Sequence, residues 1–243
     1  MAPAGKKRGG TGHIDGISPH SKGRADVRPH RLSITVLSDK ESWINAYLPD
    51  LVSSLAGMGH AVVWRHNLSH VRKGDIAFYL GCGRVIPPRV LSRNRHNLVV
   101  HESALPQGKG WSPLTWQILE GKNEIPITLF EAEERVDSGR IYLTDVMRFD
   151  GTELVEDLRK KQAAYTVRMC LSFVRDYPGI VSRGSDQAGR ASYYRRRSPE
   201  DSMLDPDKTI REQFNLLRVA DNQRYPAYFE LDGLRYTLTI DKG

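Results

Sequence analysis

The sequence predicts an α/β domain in which a mostly parallel sheet carries helices on both faces. Three observations predict it. Short β-rich runs alternate with helix-patterned segments from residue 32 to residue 177. Those runs are near-continuously apolar, as strands covered on both faces must be. The chain has 243 residues and is 39% hydrophobic, enough to bury one large core.

The elements follow in order. "LSITVL" (32–37) reads as the first strand. Residues 40–58 place Trp43, Tyr47, Leu51 and Leu55 at helical spacing, with Pro49 expected to distort that helix and "GMGH" to end it. "HAVVWR" (60–65) and "GDIAFYL" (74–80) are the second and third strands, and "PPRVLSR" is a short helix or turn. "NLVV" (97–100) is the fourth strand. "SPLTWQILEG" (112–121) is a helix with Ser112 as N-cap, Pro113 at its first position and Gly121 as its stop. "IPITLFEA" (125–132) and "GRIYLTDVMRF" (139–149) are strands, and 151–177 is a long helix. Beyond 182 the chain turns polar, Gly/Ser-rich and basic. A helix over about 207–221 follows, then a hairpin over 227–240 turning at Asp232-Gly233. The implied division is a leader (1–31), a main domain (32–181), a linker (182–206) and a small C-terminal helix and β-hairpin subdomain (207–243).

Composition excludes several classes. No apolar run approaches the roughly 20 residues that span a bilayer, and no signal-type segment opens the chain. Cys82 and Cys170 match no metal spacing, so a cytoplasmic protein with reduced thiols is the plain reading. The net charge is +7. Seven of the basic residues and only two acids fall in 1–31, so the rest of the chain is close to neutral. That Gly/Pro/Ser-rich leader reads as a disordered, solvated tail before it reads as a polyanion-binding arm.

The turn after the first strand, "SDKESW", lacks the glycines of a dinucleotide site, and no phosphate loop occurs. His66 and His70 lack the glutamate of a zinc-protease helix and read as ordinary exposed histidines. His101 stands apart because it closes the fourth strand, where ligands of such sheets bind. A histidine at a strand end is often only a hydrogen-bonded structural residue. The loop that follows, "ESALPQGKGWSP", is stiffened by Pro106 and Pro113, while Gly108 and Gly110 admit close backbone approach. A second loop, "EAEERVDSGR", brings Asp137. In a parallel sheet both loops open on one edge, so histidine and carboxylate are expected to meet in a cleft suited to proton transfer.

His101-x-Ser103-x-Leu105-Pro106-x-x-x-Gly110, then Pro113, then "ITLFEAEERVDSGRIY", resembles the formyltransferases that use 10-formyltetrahydrofolate. These include the methionyl-tRNA, glycinamide ribonucleotide and sugar-nucleotide enzymes. "FYLGCGRVIP" (78–87) resembles the segment that lines their pterin pocket. "YYRRRSPEDSMLD" and "NLLRVADNQRYPAYFE" resemble the tails of the amino-sugar enzymes. The resemblance implies a Rossmann-like catalytic domain over 32–181 and 10-formyltetrahydrofolate as co-substrate, with no metal. It implies His101 beside the formyl oxygen as a donor and Asp137 handling the amine proton. The family pattern is Asn-x-His, but Val99 stands at the amide position. Asn97, on a bulged strand, becomes the third catalytic candidate, with Gln117 or a backbone N–H within 107–111 as substitutes. Gly83, Arg84, Val85, Ile86, Glu133 and Val136 are the implied folate contacts. Ser103, Lys109, Gly110, Arg195 and Arg196 are the candidate substrate contacts.

The expected partner is a small-molecule amine, foremost that of a nucleotide-linked amino sugar destined for a surface polysaccharide. No tRNA and no membrane are expected, and a homodimer is an open option. An amino-acid amine of the siderophore type is the second substrate reading. Formyl-folate hydrolysis and non-catalytic folate binding are the readings from other classes.

Overall fold

The computed structural model describes Met1 and residues 31–243, so the leader expected over 1–31 lies outside the described residues save for its two ends. Six strands form the central sheet: β1 (Ser33–Leu37), β2 (Ala61–Arg65), β3 (Gly74–Tyr79), β4 (Asn94–His101), and further along the chain β6 (Glu124–Glu131) and β7 (Ile141–Arg148). A two-residue strand, β5 (Lys109–Gly110), lies between β4 and β6 in sequence. The order across the sheet is β2-β1-β3-β4-β6-β7.

The helices are α1 (Leu48–Gly57), α2 (Pro88–Leu91), α3 (Pro113–Leu119), α4 (Val155–Asp176) and α5 (Gly179–Ser182). The segment 40–58 is not one bent helix. It divides into a 3-10 turn at Trp43–Ala46 and then α1, with Pro49 in the first turn, where its missing N–H costs nothing. Ser112 is left-handed at φ 50° and makes no side-chain capping bond.

Alternation along the strands builds two cores. Ile34, Val36, Ile76, Phe78 and Leu98 face α1 and α4 and join Leu48, Leu51, Cys170 and Phe173. Leu37, Ala77 and Tyr79 face the other way and pack with Ile86 and Val90 at α2. Burial of these side chains, worth about 1.5–3 kcal/mol each, is the main force holding the sheet.

The parallel half ends at β4. Strands β6 and β7 run antiparallel, with Leu98 opposite Glu131 and His101 opposite Thr128. The chain re-enters beside the carboxyl end of β4 and runs back down.

The segment between 182 and 206 is more than a connection. Its β8 (Tyr193–Tyr194) pairs with β5, and Tyr194 stacks on Trp116. Beyond it, the helix expected over 207–221 shrinks to α6 (Phe214–Arg218). Residues 205–213 form turns instead, because Gln213 bonds the backbone of Asp205 and Glu212 caps Thr209. Such local side-chain bonds compete with a helix. Strands β9 (Ala227–Leu231) and β10 (Leu234–Leu238) form the hairpin, over a small cluster of Leu204, Leu217, Ala220 and Ala227.

Candidate active site

A cleft of about 710 Å³ opens at the carboxyl end of β4, within the size range of small-molecule sites. His101 and Asp137 both line it. His101 Nε2 lies 3.7 Å from Asp137 Oδ2 and 2.8 Å from the Gly108 carbonyl oxygen. A carbonyl only accepts, so Nε2 carries the ring proton.

The sequence explanation for this meeting needs correction. The loop after β6 does not open on the same edge as the loop after β4, because the two strands are antiparallel. The 132–140 connection starts level with Asn97, whose carbonyl accepts from Ala132 N–H, and climbs along β4 to His101. Two glycines permit this. A Cβ at Gly139 would meet Glu131 O at 2.0 Å, and one at Gly110 would meet Tyr194 O at 2.3 Å. Gly110 N–H then donates to Asp137 Oδ2 at 2.8 Å. Asp137 is left-handed at φ 50°, a conformation aspartate tolerates. Gln187 Nε2 holds the carbonyls of Asp137 and Gly139 at 2.9 Å each.

Gly83, Arg84, Val85 and Ile86 line the cleft on one side. Gly83 N–H donates to Asp39 at 2.8 Å, and its carbonyl accepts from Arg196 at 2.9 Å. Glu133, Val136, Val99 and Phe130 line the cleft as well. Val85, Ile86, Val99, Phe130 and Val136 give this part of the cleft apolar lining. Gly110 and Arg196 complete the sequence candidates that reach the cleft.

Four candidates do not reach it. Asn97 lies back along β4. Its Nδ2 donates to Leu91 O at 2.9 Å and its Oδ1 accepts from Tyr79 OH at 3.1 Å. Those partners hold the amide under α2. Ser103 is buried beneath the loop, its hydroxyl unpartnered. Lys109 is buried too, with its backbone paired to the 192–193 segment. Arg195 turns away to Asp201 at 2.8 Å and lies over the Trp116 ring. The substitute Gln117 is also committed, donating to Glu102 O at 2.6 Å and Pro113 O at 3.1 Å.

Sequence reasoning missed several lining residues. Glu102 is 8% exposed. Burial pushes its carboxyl pKa up, His101 and Gln162 pull it down, and Asp137 adds to the rise. Arg159, Arg197, Arg224 and Tyr225 come from α4 and the tail. Arg197 donates to Asp201 O at 3.2 Å and Ser202 Oγ at 3.1 Å, while its Nε–H is buried with no partner. Burial lowers its pKa, a sign of a guanidinium short of counter-charge. The Arg195–Arg197 run was the one available signal. The Cys82 thiol, also among the lining residues, is pushed up to about 12 by burial first and by Asp39 second, which disfavours its thiolate. Among the described residues, no group of three His, Cys, Asp or Glu side chains is placed to hold a metal, and no helix is long and apolar enough to cross a membrane.

A histidine–carboxylate pair in an open cleft lined by arginines can move a proton beside a bound anion. Residues 66–173 match the sequence model of the formyl transferase family, and that match marks a formyltransferase enzyme domain in this chain. Solved structures share its fold. Methionyl-tRNA formyltransferase from Clostridium thermocellum is 18% identical, with a TM-score of 0.69, over 84% of this chain and 90% of that one. HypX from Aquifex aeolicus in complex with tetrahydrofolic acid is 17% identical, with a TM-score of 0.69, over 84% of this chain but only 37% of that one. A sugar N-formyltransferase from Shewanella is 15% identical, with a TM-score of 0.62, over 88% and 99%.

Proposed function

We propose that this enzyme moves the formyl group of 10-formyltetrahydrofolate to the primary amine of a nucleotide-linked amino sugar. The amine nitrogen bonds to the formyl carbon, and the bond from that carbon to the folate nitrogen breaks. The amine loses a proton and the folate nitrogen gains one. Asp137 receives the amine proton directly or through water, and His101 sits beside the reacting carbon, oriented by Gly108 and Asp137. Holding donor and acceptor together in the cleft supplies much of the acceleration. The folate would lie between the 83–86 segment and the 133–136 segment.

The observation that carries the substrate reading is the arginine wall. Arg84, Arg196, Arg197 and Arg224 line the same cleft, and the buried Nε–H of Arg197 has no hydrogen-bond partner. Guanidinium groups bind phosphate oxygens in forked pairs. Trp111 and Tyr225 beside them offer flat surfaces for a base. Likeness to a sugar N-formyltransferase supports the same reading.

The test is a panel of dTDP- and UDP-linked amino sugars and free amino acids, each with 10-formyltetrahydrofolate, scored for N-formyl product by mass spectrometry. Formylation confined to the nucleotide-linked amines is expected. Formylation of free amino acids alone, or brisk formate release unchanged by any amine, would contradict it.

A further inference from the structure

Formyl transfer gathers negative charge on the formyl oxygen, and a preorganised donor there is worth about 100- to 1000-fold in rate. The donors nearest His101 are already committed. Its own Nε2–H goes to Gly108 O at 2.8 Å, which leaves Nδ1, an acceptor in the neutral ring. Every backbone N–H from 107 to 111 has a partner: Ala104 O, Ser192 Oγ, Ser192 O, Asp137 Oδ2 and Tyr194 O in turn. The amides of Asn97 and Gln117 are tied to carbonyls away from the reacting centre. Val99 is apolar.

One ionisable side chain in this part of the cleft has no assigned task. Glu102 follows His101 where β4 ends and lines the cleft, as do Leu114 and the α4 residues Leu158, Gln162 and Thr166. No lysine or arginine nitrogen among the described residues lies within ion-pairing distance of its carboxyl. Arg159 of α4, which also lines the cleft, is held by Glu156 and Asp221.

We propose that Glu102, as a neutral carboxylic acid, donates the hydrogen bond that steadies the formyl oxygen during transfer. An ionised carboxylate at this place would be desolvated, unpaired and repelled by both Asp137 and the developing oxyanion. The protonated acid has none of those costs and carries an O–H. The burial-driven rise in its pKa agrees with the geometry. Gln162 acts as a positioning residue, since its amide can hold one carboxyl oxygen and turn the O–H outward. The titratable groups acting on Glu102 are His101 and Asp137, while α4 presents only uncharged side chains to it there.

This inference rests on the formyltransferase reading but not on the choice of amine, and its test keeps the two apart. Infrared difference spectra of the ligand-free wild type against Glu102→Gln, both at neutral pH, read the protonation state without any turnover. A protonated-carboxyl stretch present in the wild type and lost in the variant is expected, and a carboxylate signature in its place overturns the proposal. Kinetics with 10-formyltetrahydrofolate read the role. Glu102→Leu is expected to lower kcat by about 100- to 1000-fold with folate binding intact. Glu102→Gln, a neutral donor of the same shape, is expected to stay within about tenfold and to lose the wild type's decline at alkaline pH. If no amino sugar is formylated, formate release gives the same ratio, because hydrolysis charges the same oxygen; then the substrate reading fails and Glu102 is still judged. Near-normal kcat in Glu102→Leu, or a change confined to the KM of the amine, overturns the donor role.

Discussion

Strand β4 carries two histidines, and each meets a carboxylate. His96 Nδ1 lies 3.1 Å from Glu131 Oε2, and His101 Nε2 lies 3.7 Å from Asp137 Oδ2. Judged by contact alone, His96 has the better pair. Its surroundings decide otherwise. The His96 ring sits edge-on among Tyr142, Phe173 and Tyr177, and Glu131 accepts from Tyr142 OH and the backbone N–H of Asn97 as well as meeting His96. Nothing there faces the cleft. His101 looks into a cavity of about 710 Å³, and its carboxylate is held by a backbone amide with an edge left for a ligand. A histidine–carboxylate pair is thus a structural unit by default. It becomes a site when the fold leaves open space beside it.

Substitutions at the two carboxylates should separate these roles most sharply. Asp137→Asn is expected to cut formyl transfer by about 100- to 10,000-fold with folate binding retained. Glu131→Gln should leave turnover of the folded enzyme near normal, and equal losses from both would erase the distinction. The rim comes next. Arg197→Ala should raise the KM for a phosphate-bearing amine by about 10- to 100-fold, since a bond to a charged group is worth about 1.5–3 kcal/mol. An unchanged KM would remove the arginine wall from substrate recognition.

At the structural pair, His96→Leu should cost about 1–3 kcal/mol of stability, measured by chemical denaturation, because Glu131 loses a partner in a half-buried place. The smallest effect concerns Glu102. A carboxyl whose folded pKa is raised binds more protons folded than unfolded, so stability falls as pH rises from the ordinary carboxyl value toward the folded one. Wild-type melting should show that decline, and Glu102→Gln should show less of it.

Much of this contrast was legible in the sequence, though for a partly mistaken reason. His101 stood out because a β-rich run ended on it before a loop of Pro106, Gly108, Gly110 and Pro113. His96 had no such loop, and it was passed over. Asp137 does lie beside His101, but across an antiparallel β4–β6 pair where a parallel one was expected. Asn97 drew attention by its spacing on the strand. Its commitment to Tyr79 and Leu91 depends on how α2 packs, which no local pattern encodes. The arginine wall joins Arg84, the neighbours Arg196 and Arg197, and Arg224, three places far apart in the chain that meet only when the tail folds back over β5. Within the 195–197 run, nothing in the sequence says which guanidinium turns inward. Glu102 was unreadable for a different reason, since its meaning comes from burial without a cation.

The most direct measurement follows a formyl-labelled 10-formyltetrahydrofolate with His101→Ala and His96→Ala side by side. The label should reach the amine with wild type and with folded His96→Ala, and fall by about 1000-fold or more with His101→Ala while the folate still binds. Label transfer by His101→Ala at the wild-type rate would contradict the account.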